Sequence, residues 1–196
     1  TRQPIEYFAR IIFVNASALN SNLVLLNSTS SRFPNGLGND SGMLGKFVAF
    51  HNYRAGAGGD VEGFRENYVY GRNPTEPIIA NYRNLHRHEM DYVGGFTTFM
   101  GANRQRSDGS GLPETIGADF KEDLTLPGKW SAYMYMQGET IMKETNHVRL
   151  STDKKDQWGM QLLITSVGYD DNDDKMVKDF LQQAQEMLEV AGVKVT

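Results

Sequence analysis

Two histidines and a glutamate within four residues, His86-Arg87-His88-Glu89, form the tightest group of metal-capable side chains in the sequence. On an extended strand His86 and His88 would share one face and offer two imidazoles to an ion. A third ligand would have to come from His51 or His147, and no spacing points to either, so the group reads as a polar turn and no metal site is assigned. Asp170-Asp171-Asn172-Asp173-Asp174 has the composition of a calcium loop without its glycine or its distant glutamate. Those acids suit the first turn of a helix, where the macrodipole favours negative charge. Gly56-x-Gly58 begins like a dinucleotide fingerprint, but Val61 stands where the third glycine belongs and no strand-to-helix frame surrounds it. Gly56–Asp60 therefore reads as a flexible loop, opening a long polar segment that runs to about Asn73.

The segment Trp130–Glu139 carries more chemistry. Strand alternation puts Ser131, Tyr133, Tyr135, Gln137 and Glu139 on one face and Ala132, Met134, Met136 and Gly138 on the other. The second set suits packing beneath helices. The first set, two phenols with an amide and a carboxylate, fits either a solvated sheet surface or a cavity wall that reads sugars and polyols.

Several further elements must position these residues. Arg10–Ala16 is a short apolar run expected as a buried strand, followed by a helix over residues 17–27 with Ser17 as its N-cap. Pro77–Tyr82, Tyr92–Phe99, His147–Leu150 and Gln161–Ser166 read as strands, and Ile116–Leu124 as a short helix. Asp171–Val190 is an amphipathic helix with Met176, Val177, Phe180, Leu181, Ala184, Met187, Leu188 and Ala191 on one stripe, closed by Gly192. Consecutive strands and a long helix give an α+β fold, an antiparallel sheet with helices packed on one face. The strand–turn–helix at 10–27 is expected as the edge of a separate α/β layer.

At 196 residues, 39% hydrophobic and 22% charged, the chain has ordinary globular usage. Its net charge of −4 and scattered cations argue against nucleic acid as a ligand. The absence of cysteine removes disulfides, zinc–thiolate sites and thiol nucleophiles. No apolar run approaches the ~18 residues of a membrane span. Thr1-Arg2-Gln3-Pro4 has no signal-peptide pattern, and localisation stays open.

Ser17-Ala18-Leu19-Asn20-Ser21-Asn22-Leu23-Val24-Leu25-Leu26-Asn27-Ser28 resembles the second signature of the glucose–methanol–choline oxidoreductases, with Asn22 in place of a Pro or Ser and Thr29 in place of a Gly. Gly45-Lys46-Phe47-Val48-Ala49-Phe50-His51 is similar to that family's Gly-Arg-Asn-Leu-x-x-His. Glu139, Asn146-His147-Val148-Arg149-Leu150 and Asp156-Gln157-Trp158-Gly159 resemble its Glu…Asn-x-Val-x-Leu…Asp-x-x-Gly stretch. These blocks come in family order over about residues 10–160, and the resemblance leans to the bacterial pyranose-oxidase-like branch.

The resemblance implies FAD and oxidation of an alcohol or sugar by hydride transfer to flavin. The family's Gly-x-Gly-x-x-Gly and its C-terminal catalytic base have no counterpart here. None of the four histidines takes a catalytic role, and the isolated chain is expected to be inactive. On this reading residues 1–45 are a remnant of the FAD domain and 46–196 the substrate domain. Asn15, Ala16, Ser17 and Ala18 lie near FAD, and Tyr133, Tyr135, Gln137 and Glu139 face the substrate. Gly56–Asn73 is a candidate lid, and homo-oligomerisation is possible. The alternative is a stand-alone carbohydrate-binding or structural module without catalysis.

Overall fold

The computed structural model describes residue 3, residues 5–64, 76–107 and 112, and residues 115–196. In chain order the elements are helix α1 (Ser17–Asn27), strands β1 (Gly56–Val61), β2 (Ile78–Ile79) and β3 (Phe96–Arg106), helix α2 (Ala118–Asp123), strands β4 (Pro127–Gly138), β5 (His147–Lys155) and β6 (Gln161–Ser166), helix α3 (Asp171–Val190) and strand β7 (Val193–Val195). Contacts divide the chain into two units, 50–140 with 169–196, and 1–49 with 141–168.

The first of these units is built on a five-stranded sheet in the order β2-β3-β4-β1-β7, with every pairing antiparallel. This is the expected α+β arrangement. Alternation along β4 turns Met134 and Met136 inward, where they join Phe96 under the stripe Met176, Phe180, Ala184 and Leu188 of α3. Phe180 meets Phe96 edge-to-face at 5.5 Å, and Tyr82 meets Phe96 edge-to-face at 5.9 Å. α3 begins on a reciprocal cap: the Asp170 carboxylate accepts from the N–H groups of Asn172 and Asp173, and Asp173 accepts from the N–H of Asp170. The acidic run thus serves as a helix start, as its composition suggested.

A half-buried ionic contact ties the loop before β3 to the same helix. Arg83 grips Asp179 with two hydrogen bonds of 2.8 and 2.7 Å, and the Tyr92 hydroxyl donates to the same carboxylate at 2.8 Å. Burial and the bond to Asp179 both push the Tyr92 phenol pKa upward. Tyr92 is buried in the loop rather than in a strand, because Gly94 adopts φ +85° and the ladder of β3 starts only at Phe96.

Gly56–Asp60, expected as a flexible loop, is instead most of β1, held between β4 and β7. Glycine is what lets the strand lie there. A Cβ on Gly59 would stand 1.9 Å from the Lys194 carbonyl oxygen, so the β1–β7 pairing depends on its absence. The expected lid therefore begins as a sheet strand, and its residues 65–73 lie outside the described residues.

In the other unit α1 packs beside the β5–β6 hairpin. The Gly45 carbonyl accepts from Val148 N–H at 2.7 Å, and the buried Asn146 side chain bonds both backbone groups of Gly168. The hairpin turn is organised by Asp156, whose carboxylate accepts from the N–H groups of Trp158 and Met160. Residues 141–168 thus associate with the first 49 residues, whereas the sequence placed them with the sheet that follows residue 46. Arg10–Ala16, expected as a buried strand, has no strand pairing, and Ile11, Ile12 and Phe13 are 71, 72 and 79% exposed. A run apolar on both sides needs cover on both faces, and the described residues supply none.

Phe180→Ala is expected to lower stability by about 3–5 kcal/mol, read from urea unfolding of the chain. Gly59→Ala should selectively speed amide exchange along β7, because the added methyl cannot fit beside Lys194.

Candidate functional site

Antiparallel register decides what surrounds the polar face of β4. Tyr135 lies opposite Phe99 on β3 and Gly56 on β1, Tyr133 opposite Gly101 and Gly58, and Gln137 opposite Thr97. Opposed residues share a face, so three glycines and one phenyl ring flank the two tyrosines. A Cβ on Gly101 would come within 2.5 Å of the Tyr133 hydroxyl oxygen, which means that the Tyr133 ring occupies the space this glycine leaves. Phe99 and Tyr135 stack at 5.2 Å with their planes 9° apart, and Tyr133 continues the stack at 6.3 Å and 18°.

The two phenols converge on Glu76. Tyr133 donates to one carboxylate oxygen at 2.8 Å and Tyr135 to the other at 2.7 Å. The hydrogen bond from Tyr135, and then that from Tyr133, holds the Glu76 pKa below its ordinary value, because both stabilise the ionised form. Reciprocally, the bond to Glu76 raises the Tyr133 pKa and pushes that of Tyr135 up to about 12. Further along the same face, the Gln137 amide nitrogen lies 3.0 Å from Nε2 of His51, whose ring meets Tyr53 edge-on at 5.5 Å.

The structure thus brings Tyr133, Tyr135 and Gln137 to one face, as alternation implied. Glu139 lies beyond the last residue of β4, its backbone N–H bonds Gly95, and its carboxylate rests against Gly94. His51 entered the sequence reading only as a candidate third metal ligand and as the end of the Gly45–His51 block, and Glu76 and Phe99 were missed. Their only local signals were a carboxylate before Pro77 and an aromatic in an alternating run. Neither names a partner, because contacts between residues far apart in the sequence depend on register.

In the other unit, Asn15, Ala16, Ser17 and Ala18 form the start of α1. The N-cap is Ala16 rather than Ser17, which adopts φ 69° as the first helical residue, and no side chain caps the first turn. Among the described residues its N–H groups therefore have no side-chain acceptor, and they present partial positive charge. A groove of about 720 Å³ in this unit is lined by Leu44, Lys46, Glu144, His147 and Arg149 among others. His86 is exposed on a bend and His88 is exposed just after it. Among the described residues no group of three or more His, Asp or Glu is placed to hold a metal ion, and no helix is long and apolar enough to cross a membrane.

No protein-family model matches the chain. Over 164 residues, 79% of its length, it is 27% identical to a 2-methyl-1,2-propanediol dehydrogenase from Mycolicibacterium austroafricanum. The chain spans only 29% of that protein's length.

The cluster should give a visible pH signature. The lowered Glu76 pKa contributes stability above the unfolded carboxylate range of about 4.3, and that contribution is lost as pH falls through the lower folded value. The raised Tyr135 pKa contributes stability below the unfolded phenol value of about 10, and that is lost as pH climbs towards the folded value. Ultraviolet titration should find a phenol ionising near pH 12 in the native chain, and Glu76→Gln should shift it downward.

Proposed function

We propose that this chain is the substrate-domain part of an FAD-dependent oxidoreductase of the glucose–methanol–choline type, nearest its pyranose-oxidase-like branch. Its action is oxidation of a CH–OH group in a sugar, polyol or other alcohol. The observation that carries this reading is the likeness to a diol dehydrogenase along most of the chain. The four sequence blocks at 17–28, 45–51, 139–150 and 156–159 support the family.

In this reading the stacked rings of Phe99, Tyr135 and Tyr133 receive the apolar C–H face of the substrate, while Glu76 and Gln137 orient its hydroxyls. Asn15, Ala16, Ser17 and Ala18 would hold FAD. The uncapped first turn of α1 fits an anionic group such as a pyrophosphate, since it offers N–H donors that have no side-chain acceptor among the described residues. FAD, when bound, supplies the hydride acceptor. The sequence contains no Gly-x-Gly-x-x-Gly, and no residue of the chain is assigned the proton transfer, so the chain alone is proposed to be inactive. The aromatic stack also suits a carbohydrate-binding module that works without a cofactor, the second reading.

Protein purified from the complete reading frame is expected to show visible flavin absorption that sugars or polyols bleach, and this chain with added FAD is expected to show no such turnover. A complete protein without flavin, together with sugar binding by the chain, would favour the module. In the complete enzyme, Tyr133→Ala and Gln137→Ala should each lower kcat/KM for the alcohol by about 3–10-fold, the worth of one hydrogen bond. Unchanged kinetics in both would count against the assignment of this face.

A further inference from the structure

The hydrogen-bonding groups of the tyrosine face are unevenly divided between donors and acceptors. Both phenol hydrogens are committed to Glu76, and the Tyr133 oxygen already accepts from the Asn103 side chain, so the two tyrosines offer a ligand ring surface and their remaining oxygen lone pairs. Each Glu76 oxygen receives one phenol and keeps a second lone pair. Gln137 spends one amide hydrogen on His51. Among the described residues no cation pairs with Glu76. The lysines further along the sheet, Lys129 and Lys194, are paired with Asp60 and Glu62. The β1 neighbours of the tyrosines are Gly56 and Gly58, so β1 places no side chain directly beside the rings. The result is a surface rich in acceptors around one anionic carboxylate.

We propose that Glu76 is the charge-selecting residue of this face, admitting polyols that are neutral or carry an ammonium group and rejecting those that carry a carboxylate. A neutral polyol donates hydroxyl hydrogens to the spare lone pairs of Glu76, and an ammonium group does so with the attraction of opposite charge. A carboxylate brings only acceptors and like charge to a position where, among the described residues, no cation pairs with Glu76. The phenols hold the Glu76 carboxylate in place across the stack, so it cannot swing away from an anionic ligand without giving up two hydrogen bonds. This inference rests on the reading of the tyrosine face as the substrate surface.

Three six-carbon polyols that differ in one terminal group test it: sorbitol, gluconate and glucamine. Each is titrated into the 196-residue chain at neutral pH, and the ring resonances of Tyr133 and Tyr135 are followed by NMR. The expected order is glucamine, then sorbitol, then gluconate, with gluconate weaker than sorbitol by about tenfold or more. Glu76→Gln should compress the three affinities to within about threefold, since the amide keeps the shape and loses the charge. The Tyr133→Phe, Tyr135→Phe double variant, followed by its phenylalanine ring resonances, frees the Glu76 carboxylate to move, and the preference for sorbitol over gluconate should narrow without reversing. If gluconate binds the native chain as well as sorbitol does, or if Glu76→Gln leaves the order intact, charge selection by Glu76 is overturned while the substrate-face reading stands. Failure of all three polyols to shift either ring overturns both.

Discussion

The packing of α3 across one face of the antiparallel sheet is the constraint on which the larger unit depends. Met176, Phe180, Ala184 and Leu188 repeat at helical spacing, and Phe96, Met134 and Met136 lie at strand spacing, so the two periodicities meet on a single pair of surfaces. Burying those side chains sets the register of β3 and β4, since a slip of one residue would exchange the core face for the polar one. The reciprocal cap at Asp170 and the Arg83–Asp179–Tyr92 contact then fix where along the sheet the helix starts and how the preceding loop returns to it.

The opposite face follows as a consequence. With the even-numbered residues of β4 committed to α3, Tyr133, Tyr135 and Gln137 are displayed together, and the antiparallel partners supply what lies around them. Glycines at 56, 58 and 101 give the rings room, and Phe99 extends the stack. Two phenols donating to one carboxylate produce a coupled group in which Glu76 stays ionised more readily and Tyr135 ionises less readily. Each member orders the others, and this is how a sheet surface becomes a rigid platform rather than a set of independent polar side chains.

The smaller unit obeys a different logic. Its hairpin is closed by backbone partners at Gly45 and Gly168 and by the buried amide of Asn146, with little apolar burial along α1. The residues that resemble the oxidoreductase signature span this helix, whose N-cap, Ala16, receives no side-chain cap hydrogen bond among the described residues. Exposed Ile11, Ile12 and Phe13 precede it.

Much of the fold could be read from the residues, because local pattern carries it. Alternation in Trp130–Glu139 placed two methionines inward and two tyrosines outward. The 3.6-residue stripe marked α3, and the aspartates before it marked its start. The hairpin strands 147–150 and 161–166 were legible from short apolar runs, although β5 extends further, to Lys155. The glycine-rich stretch at 56–60 was not legible as a strand, since glycine has low strand propensity and its reason for being there is the Lys194 carbonyl, more than a hundred residues away. Nor could Arg10–Ala16 be distinguished from a paired strand, since an apolar run does not reveal whether anything will cover it. The sequence by itself determined which faces are apolar, where the long helix begins and which two tyrosines share a side. Only the tertiary structure decided that Glu76 bridges those tyrosines, that Gln137 meets His51 and that glycines stand beside the rings, because these are set by cross-strand register and long-range closure, which no local periodicity encodes.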